Sequence, residues 1–386
     1  MRLEITPEDE LCLLLAQGQL SSGVLARAVE LLAASLNWDQ ILARAEEHGV
    51  FPLVYRSLRT LDFHGVPDEV QSNLKAAFRH NVARNMLFSA ELSRLLAFLS
   101  IAGVRVIPLK GVALAELLYG DPSYRFCSDI DILVPPSDAP RARRLLIEQG
   151  YASPFTEEFF LDHQLHASGD SPLQTRKGGL DYFLELHWTL LQHAAKDAEA
   201  IEDLWSQARP REFFGAPGYG LTPEWELLYL STHAAYHRWQ TLKWIADVYD
   251  LCALVSIDWP LVREKAERFD LDRALGSTLA VCSRLYGTTA PADFPAVPIP
   301  AGVPLFPHSL DPSEAWNAPL FHFKLLKRPS EKLRWLTEML FVARQADEMF
   351  FHLPSSLEFL YFVLRPLRLA GKWSRRLLSA GVDKLR

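Results

Sequence analysis

At 386 residues and 43.7 kDa, the chain is long enough for more than one folding unit. A formal charge of −7 and a pI near 6.0 exclude bulk RNA or DNA as the main partner, because a phosphate backbone demands a basic surface. Hydrophobic residues at 49% and charged residues at 23% make an ordinary globular composition.

No uncharged apolar run reaches the length of about 18 residues that a membrane-spanning helix needs. Cys12, Cys127, Cys252 and Cys282 are scattered without CxxC spacing. They predict neither a disulfide framework nor a zinc cluster, and so a cytoplasmic setting. The acidic start MRLEITPEDELC is unlike a signal peptide.

Residues 1–95 read as helices. In WDQILARAEEHGVFPLVYRSLRTL, Trp38, Ile41, Leu42, Ala45, Val50, Leu53 and Leu58 recur at helical spacing, with a break at His48-Gly49. A long amphipathic helix then runs through NMLFSAELSRLLAFLSIAG and stops at Gly103.

Over 96–192 the texture changes. VRVIPLKG is a short strand, and VALAELLYG is a helix that ends at Gly120. SDIDILV is a strand closed by Pro135-Pro136, which cannot continue a ladder. DAPRARRLLIEQGY is a helix with Asp138 as N-cap and Pro140 in its first turn. RKGG predicts a tight turn between strands, and LDYFLELHWTLL is a further strand. The expected class is therefore α+β, a small mixed sheet with its own helices, flanked by N- and C-terminal helical regions.

Residues 193–350 return to a helical pattern, interrupted by GAPGYGLTPEWE and by the Pro-rich TTAPADFPAVPIPAGVPLFP. Residues 351–386 form a basic amphipathic C-terminal helix. From Tyr361 on, Arg365, Arg368, Lys372, Arg375, Arg376, Lys384 and Arg386 oppose one acid, Asp383, among Leu367, Leu369, Trp373, Leu377 and Leu378. Docking on the protein body is the plainer reading; contact with an anionic membrane surface stays open.

The chemistry concentrates in RFCSDIDILVPP. Alternate side chains of a strand share a face, so Asp129 and Asp131 point the same way while Ile130, Ile132 and Val134 face the core. Two carboxylates about 6.6–7 Å apart along one face repel unless a cation joins them. A hard ion such as Mg²⁺, held by a few carboxylates and substrate phosphates, suits that spacing. Seen alone, an Asp-x-Asp on a half-buried strand is more often solvated surface.

The surroundings favour the ion. Lys110-Gly111 is a turn opening a helix, where backbone N–H groups favour an anion and glycine admits a phosphate closely. Arg125 stands just ahead of the acids. In DYFLELHW, Leu184, Leu186 and Trp188 take one face, leaving Glu185 and His187 on the other, where Glu185 can join the aspartates.

LKG, then SDIDILV, then LELHW resembles the polymerase-β-like nucleotidyltransferase superfamily, and within it the bacterial branch called nucleotidyltransferase family proteins. WDQILARAEEHGVFPLVYRSL, THAAYHRWQTLKWIADVYDL and LEFLYFVLRPLRLAGKW resemble the flanking segments of that branch, so the likeness covers most of the chain.

The resemblance implies divalent metal, Mg²⁺ or Mn²⁺, on Asp129, Asp131 and Glu185. It implies nucleotide phosphates on Lys110 and Gly111 with help from Arg125, and Glu185 as the group that helps deprotonate an acceptor hydroxyl. Two departures stand out. Val112 follows Gly111 where the superfamily has serine, and Glu185 replaces the commoner aspartate.

The reaction implied is transfer of a nucleoside monophosphate from an NTP to an acceptor hydroxyl, with release of pyrophosphate. The acceptor is a small molecule, a peptide or a protein side chain. Two alternatives stay open: a degenerate nucleotide- or partner-binding scaffold, and another phosphoryl transfer on the same core.

His233 and His237 have the i, i+4 spacing of a zinc pair, but Ala-Ala-Tyr lies between them where HExxH has its glutamate. A supporting or nucleotide-contacting place for His237, Trp244 and Asp247 is the better reading, with packing the simple alternative. GAPGYG has the wrong spacing for a dinucleotide fingerprint, and no GxxxxGK[ST] is present.

Overall fold

The computed structural model describes residues 5–167, 169–190, 197–287, 290–291, 294, 323, 326, 329–342, 345–351 and 353–371. Five helices lead: α1 (Pro7–Leu15), α2 (Ser22–Leu32), α3 (Trp38–Glu47), α4 (Phe51–Thr60) and the 34-residue α5 (Asp68–Ile101). The break expected at His48-Gly49 separates α3 from α4. Gly103, at φ 74°, follows the end of α5.

The sheet region then runs β1 (Ile107–Leu109), α6 (Gly111–Tyr119), β2 (Ile130–Leu133), α7 (Ala139–Glu148), β3 (Asp170–Lys177) and β4 (Leu180–His187). Its strand order is β1-β2-β4-β3. The β2–β4 pair is parallel and the two outer pairs are antiparallel, so the sheet is mixed. Gly178 and Gly179, at φ 57° and 84°, make the β3–β4 turn that RKGG predicted, since two positive φ angles in succession match the twist of a hairpin.

Asp138 does not cap α7 with its side chain. A 3-10 turn, Pro136–Asp138, runs straight into the helix, so Asp138 already has helical backbone.

A two-stranded ribbon, β5 (Arg209–Phe213) with β6 (Ala216–Gly220), leans on β1 through Tyr219 N–H to the Val106 carbonyl at 2.8 Å. Around it lie α8 (Asp197–Gln207), α9 (Pro223–Tyr236), α10 (Leu242–Leu254), α11 (Trp259–Arg268) and α12 (Asp272–Tyr286).

The two faces of the sheet are covered differently. Ile130, Ile132, Leu184, Leu186 and Trp188 pack on α5 and α7. Fully burying a side chain such as Ile132 or Leu186 contributes about 1.5–3 kcal/mol before chain entropy is counted.

On the other face, Ile107, Leu109 and Leu133 join one cluster with the N-terminal helices and with α9, α10 and α12. Within SDIDILV all four positions of β2 are buried, while Ser128 ahead of it is exposed and Asp129 partly so. The boundary expected at 95/96 falls inside α5, whose Phe88, Leu92, Leu95 and Leu99 all serve the core of the sheet.

Among the described residues no helix is long and apolar enough to cross a membrane. Of the basic tail, Arg365 and Arg368 both bind Asp347; Lys372 and the residues after it lie outside the described residues, as does most of the Pro-rich stretch.

Candidate active site

Parallel pairing sets Asp131 of β2 beside Glu185 of β4, and Leu133 beside His187. On the opposite side β1 sets Leu109 beside Asp131, so the next residue, Lys110, enters the same corner. Its backbone lies at φ 48°, ψ −144°, and Gly111 follows at φ 54°. A non-glycine residue in the left-handed region is strained, and the turn uses that strain to lay the lysine on the sheet. Lys110 Nζ lies 3.0 Å from Asp131 Oδ1.

His187 Nε2 lies 3.1 Å from the same Oδ1 and 3.4 Å from Glu185 Oε2. Asp131 is 2% exposed, yet its Oδ2 is buried with no hydrogen-bond partner among the described residues. Such an atom gives up water and gains nothing in return.

Charge interlocks these groups. Burial alone favours the neutral amine of Lys110, but Asp131 foremost, then Tyr229, Asp129 and Glu185, outweigh it and raise the pKa. Burial likewise opposes the His187 cation; hydrogen bonds to Asp131 and Glu185 overcome it and push the imidazole up to about 9. The same His187 bond, against the opposing effect of burial, holds the Glu185 carboxyl down at about 2.

The sequence grouped Asp129 with Asp131 and Glu185. The ligand atoms that come together, within 4.8 Å of one another, are those of Asp131, Glu185 and His187. Asp129 precedes the first laddered residue, Ile130, so no neighbouring strand fixes its register. It is partly exposed and accepts the Ser128 hydroxyl at 3.1 Å.

Arg125 also departs from expectation. Asn85 and Asn81 of α5 donate to its carbonyl at 2.7 and 3.4 Å, and its guanidinium turns inward onto Asp247. Nε lies 3.0 Å from Oδ1, and Nη2 lies 2.8 Å from Oδ2. Arg125 and Asp247 are thus a clamp between the loop before β2 and helix α10, both buried. His237 and Trp244 stack at 4.6 Å and 32°, with His233 4.6 Å from His237, which is aromatic packing. Neither histidine belongs to a metal-capable group among the described residues.

A family model described as "Uncharacterised nucleotidyltransferase" matches residues 34–287, about two thirds of the chain, and so takes in every residue of this corner. The chain belongs to that family. This nucleotidyltransferase is also similar to a solved structure, "Crystal structure of an antigenic nucleotidyltransferase-like protein from Paracoccidioides brasiliensis", at 15% identity and a TM-score of 0.33. The likeness covers 53% of this chain and 95% of that one, and at that level it carries no argument. None of the curated proteins matches the sequence.

Two groups near the carboxylates of the nucleotidyltransferase escaped the sequence reading. Tyr229 on α9 has a buried hydroxyl with no hydrogen-bond partner among the described residues. Burial raises its pKa, and it feels the charges of Lys110 and Asp131. Lys243 on α10 donates to the Phe126 carbonyl at 3.3 Å, in the loop that leads to Asp129. Neither carries a local signal: each reaches the site only through the packing of distant helices.

Proposed function

We propose that the enzyme transfers a nucleoside monophosphate from an NTP to an acceptor hydroxyl and releases pyrophosphate. The observation that carries this reading is Asp131 Oδ2, buried beside Glu185 and His187 with no donor among the described residues. The carboxylate oxygens of Asp131 and Glu185 suit a hard divalent ion, Mg²⁺ or Mn²⁺, as its main ligands, with Asp129 close by. Such an ion, when bound, acidifies the acceptor hydroxyl and neutralises phosphate charge.

The chain's own residues do the rest. Glu185 is ionised throughout the neutral range, as a carboxylate that ligates a metal must be; we assign it the hydroxyl proton as well. His187 bridges it to Asp131 and holds both carboxylates in place. Lys110 offsets the charge of Asp131, and Gly111 lets phosphate approach the start of α6. Arg125 and Asp247 keep the loop and α10 in register.

We assign catalysis to the 96–192 region and enclosure of substrates to the helices on either side. The four cysteines are free, which supports a cytoplasmic setting. The acceptor is a small molecule, a peptide or a protein side chain.

The test is incubation with each α-labelled NTP, Mg²⁺ and cell extract. Release of pyrophosphate with label moving to an acceptor is the expected result. Nucleotide binding without release points to a scaffold, and orthophosphate or a transferred γ-phosphate points to a different phosphoryl transfer; either outcome overturns the reading.

A further inference from the structure

Four cations lie around the carboxylates and the loop that carries them, and they divide into two pairs. Lys110 is committed to Asp131 at 3.0 Å and Arg125 to Asp247 at 2.8 Å. The lysine and arginine that the sequence offered to phosphate are therefore both occupied by protein carboxylates. Lys243 and Arg84 are not. Neither forms an ion pair among the described residues, and both lie against Phe126, with the Lys243 ammonium 5.5 Å and the Arg84 guanidinium 5.2 Å from its ring centroid. Arg84 Nε is buried without a hydrogen-bond partner among the described residues.

Lys243 is held in place. Its backbone N–H donates to the His48 carbonyl at 3.3 Å, and its stem lies against Gly49, where an added Cβ would come within 3.3 Å of Lys243 Cδ. Gly49 has φ +64°, so that turn favours glycine on both counts. Ordering a lysine stem costs side-chain entropy, and a cation taken partly out of water beside another cation costs more. Burial first, and Arg125 second, lower the Lys243 pKa to about 8, against the smaller opposing pulls of Cys127, Asp247 and Asp129. A carbonyl at 3.3 Å and an aromatic face do not supply a full negative charge.

We propose that Lys243, with Arg84 against the same Phe126 ring, forms an anion site for the β- and γ-phosphates of the nucleotide. This inference rests on the nucleotidyl-transfer reading and gives the phosphate-binding role to α10 rather than to Lys110 and Arg125. The polyphosphate supplies the negative charge that Lys243 and Arg84 lack, and it lies beside the loop that delivers Asp129 and Asp131. The pyrophosphate produced leaves from the same place.

Inorganic tripolyphosphate with Mg²⁺, followed by titration calorimetry, tests the site without any base or acceptor. Lys243→Met is expected to weaken binding by about tenfold or more, the loss of one charge-assisted contact. Arg84→Gln is expected to weaken it by a smaller factor, and Lys243→Arg to restore most of it. A merely structural lysine would lower the melting temperature and leave tripolyphosphate affinity alone in the folded fraction.

Equal affinity in wild type, Lys243→Met and Arg84→Gln overturns the proposal. If wild type transfers no nucleotide yet binds tripolyphosphate through Lys243, the catalytic reading fails and the anion site stands. If wild type transfers nucleotide while its tripolyphosphate binding ignores Lys243 and Arg84, the anion site alone fails.

Discussion

Asp131 and Asp247 are equally buried, at 2% exposure each, and each faces a basic side chain, yet they differ in what is left over. Asp247 meets a guanidinium whose fork matches a carboxylate, and both of its oxygens are taken, at 2.8 to 3.2 Å. Asp131 meets a lysine, a point charge, and a histidine, and both crowd onto Oδ1 while Oδ2 has no donor among the described residues. A saturated pair can only hold two segments together. An unsaturated one has capacity for a further ligand, so burial alone does not separate architecture from chemistry. An unsatisfied oxygen set beside a second carboxylate and a histidine does.

Substituting each aspartate should split the two roles. Asp131→Asn is expected to lower nucleotidyl transfer by about a thousandfold or more, measured as pyrophosphate release. Stability should suffer less, because Lys110 keeps Glu185 and Asp129 in its field. Activity near that of wild type would break the contrast.

Asp247→Ala should do the reverse. It leaves the Arg125 guanidinium buried and unpaired, which costs about 3–5 kcal/mol; a urea midpoint unchanged from wild type would show that the clamp is not structural. Any loss of activity in that variant should track its loss of fold.

The parts of this arrangement that a single sequence reveals are those written in local periodicity. Strand alternation placed Asp131 opposite Ile130 and Ile132, and Glu185 opposite Leu184 and Leu186, and the core does take all four apolar residues. Gly49, Gly103, Gly120 and the Gly178-Gly179 turn marked ends that backbone geometry needs.

The partners of Arg125 and Lys243 were not legible. Asp247 stands 122 residues from Arg125, and Phe126 stands 117 from Lys243; nothing in the spacing of α10 names the loop it will meet. Asp129 looked equivalent to Asp131 because periodicity cannot tell where a ladder begins. The division at 95/96 followed a change in texture that α5, continuous from Asp68 to Ile101, ignores.

A third buried aspartate gives the smallest effect and the sharpest control. Asp250 is 1% exposed and, among the described residues, accepts from neutral donors, the Gly18 N–H at 2.9 Å and the Tyr119 hydroxyl at 2.7 Å. Burial, offset in part by those two bonds, pushes its carboxyl up to about 7 from an ordinary 3.8. Glu226 is likewise pushed up to about 7 by burial.

The sign follows from proton counting. Between about pH 4 and 7 the folded chain keeps a proton that the unfolded chain has released, so stability is greatest below that window and falls as pH rises through it. By this count Asp250 and Glu226 each make wild type roughly 2–3 kcal/mol more stable at pH 5 than at pH 8, read by chemical denaturation. Asp250→Asn, whose amide oxygen still accepts from Gly18 or Tyr119, should shrink that difference. An undiminished slope would mean that Asp250 is charged in the folded protein. It would then belong with Asp131 and Asp247 among aspartates that need a cation, rather than standing apart as one that survives burial by keeping its proton.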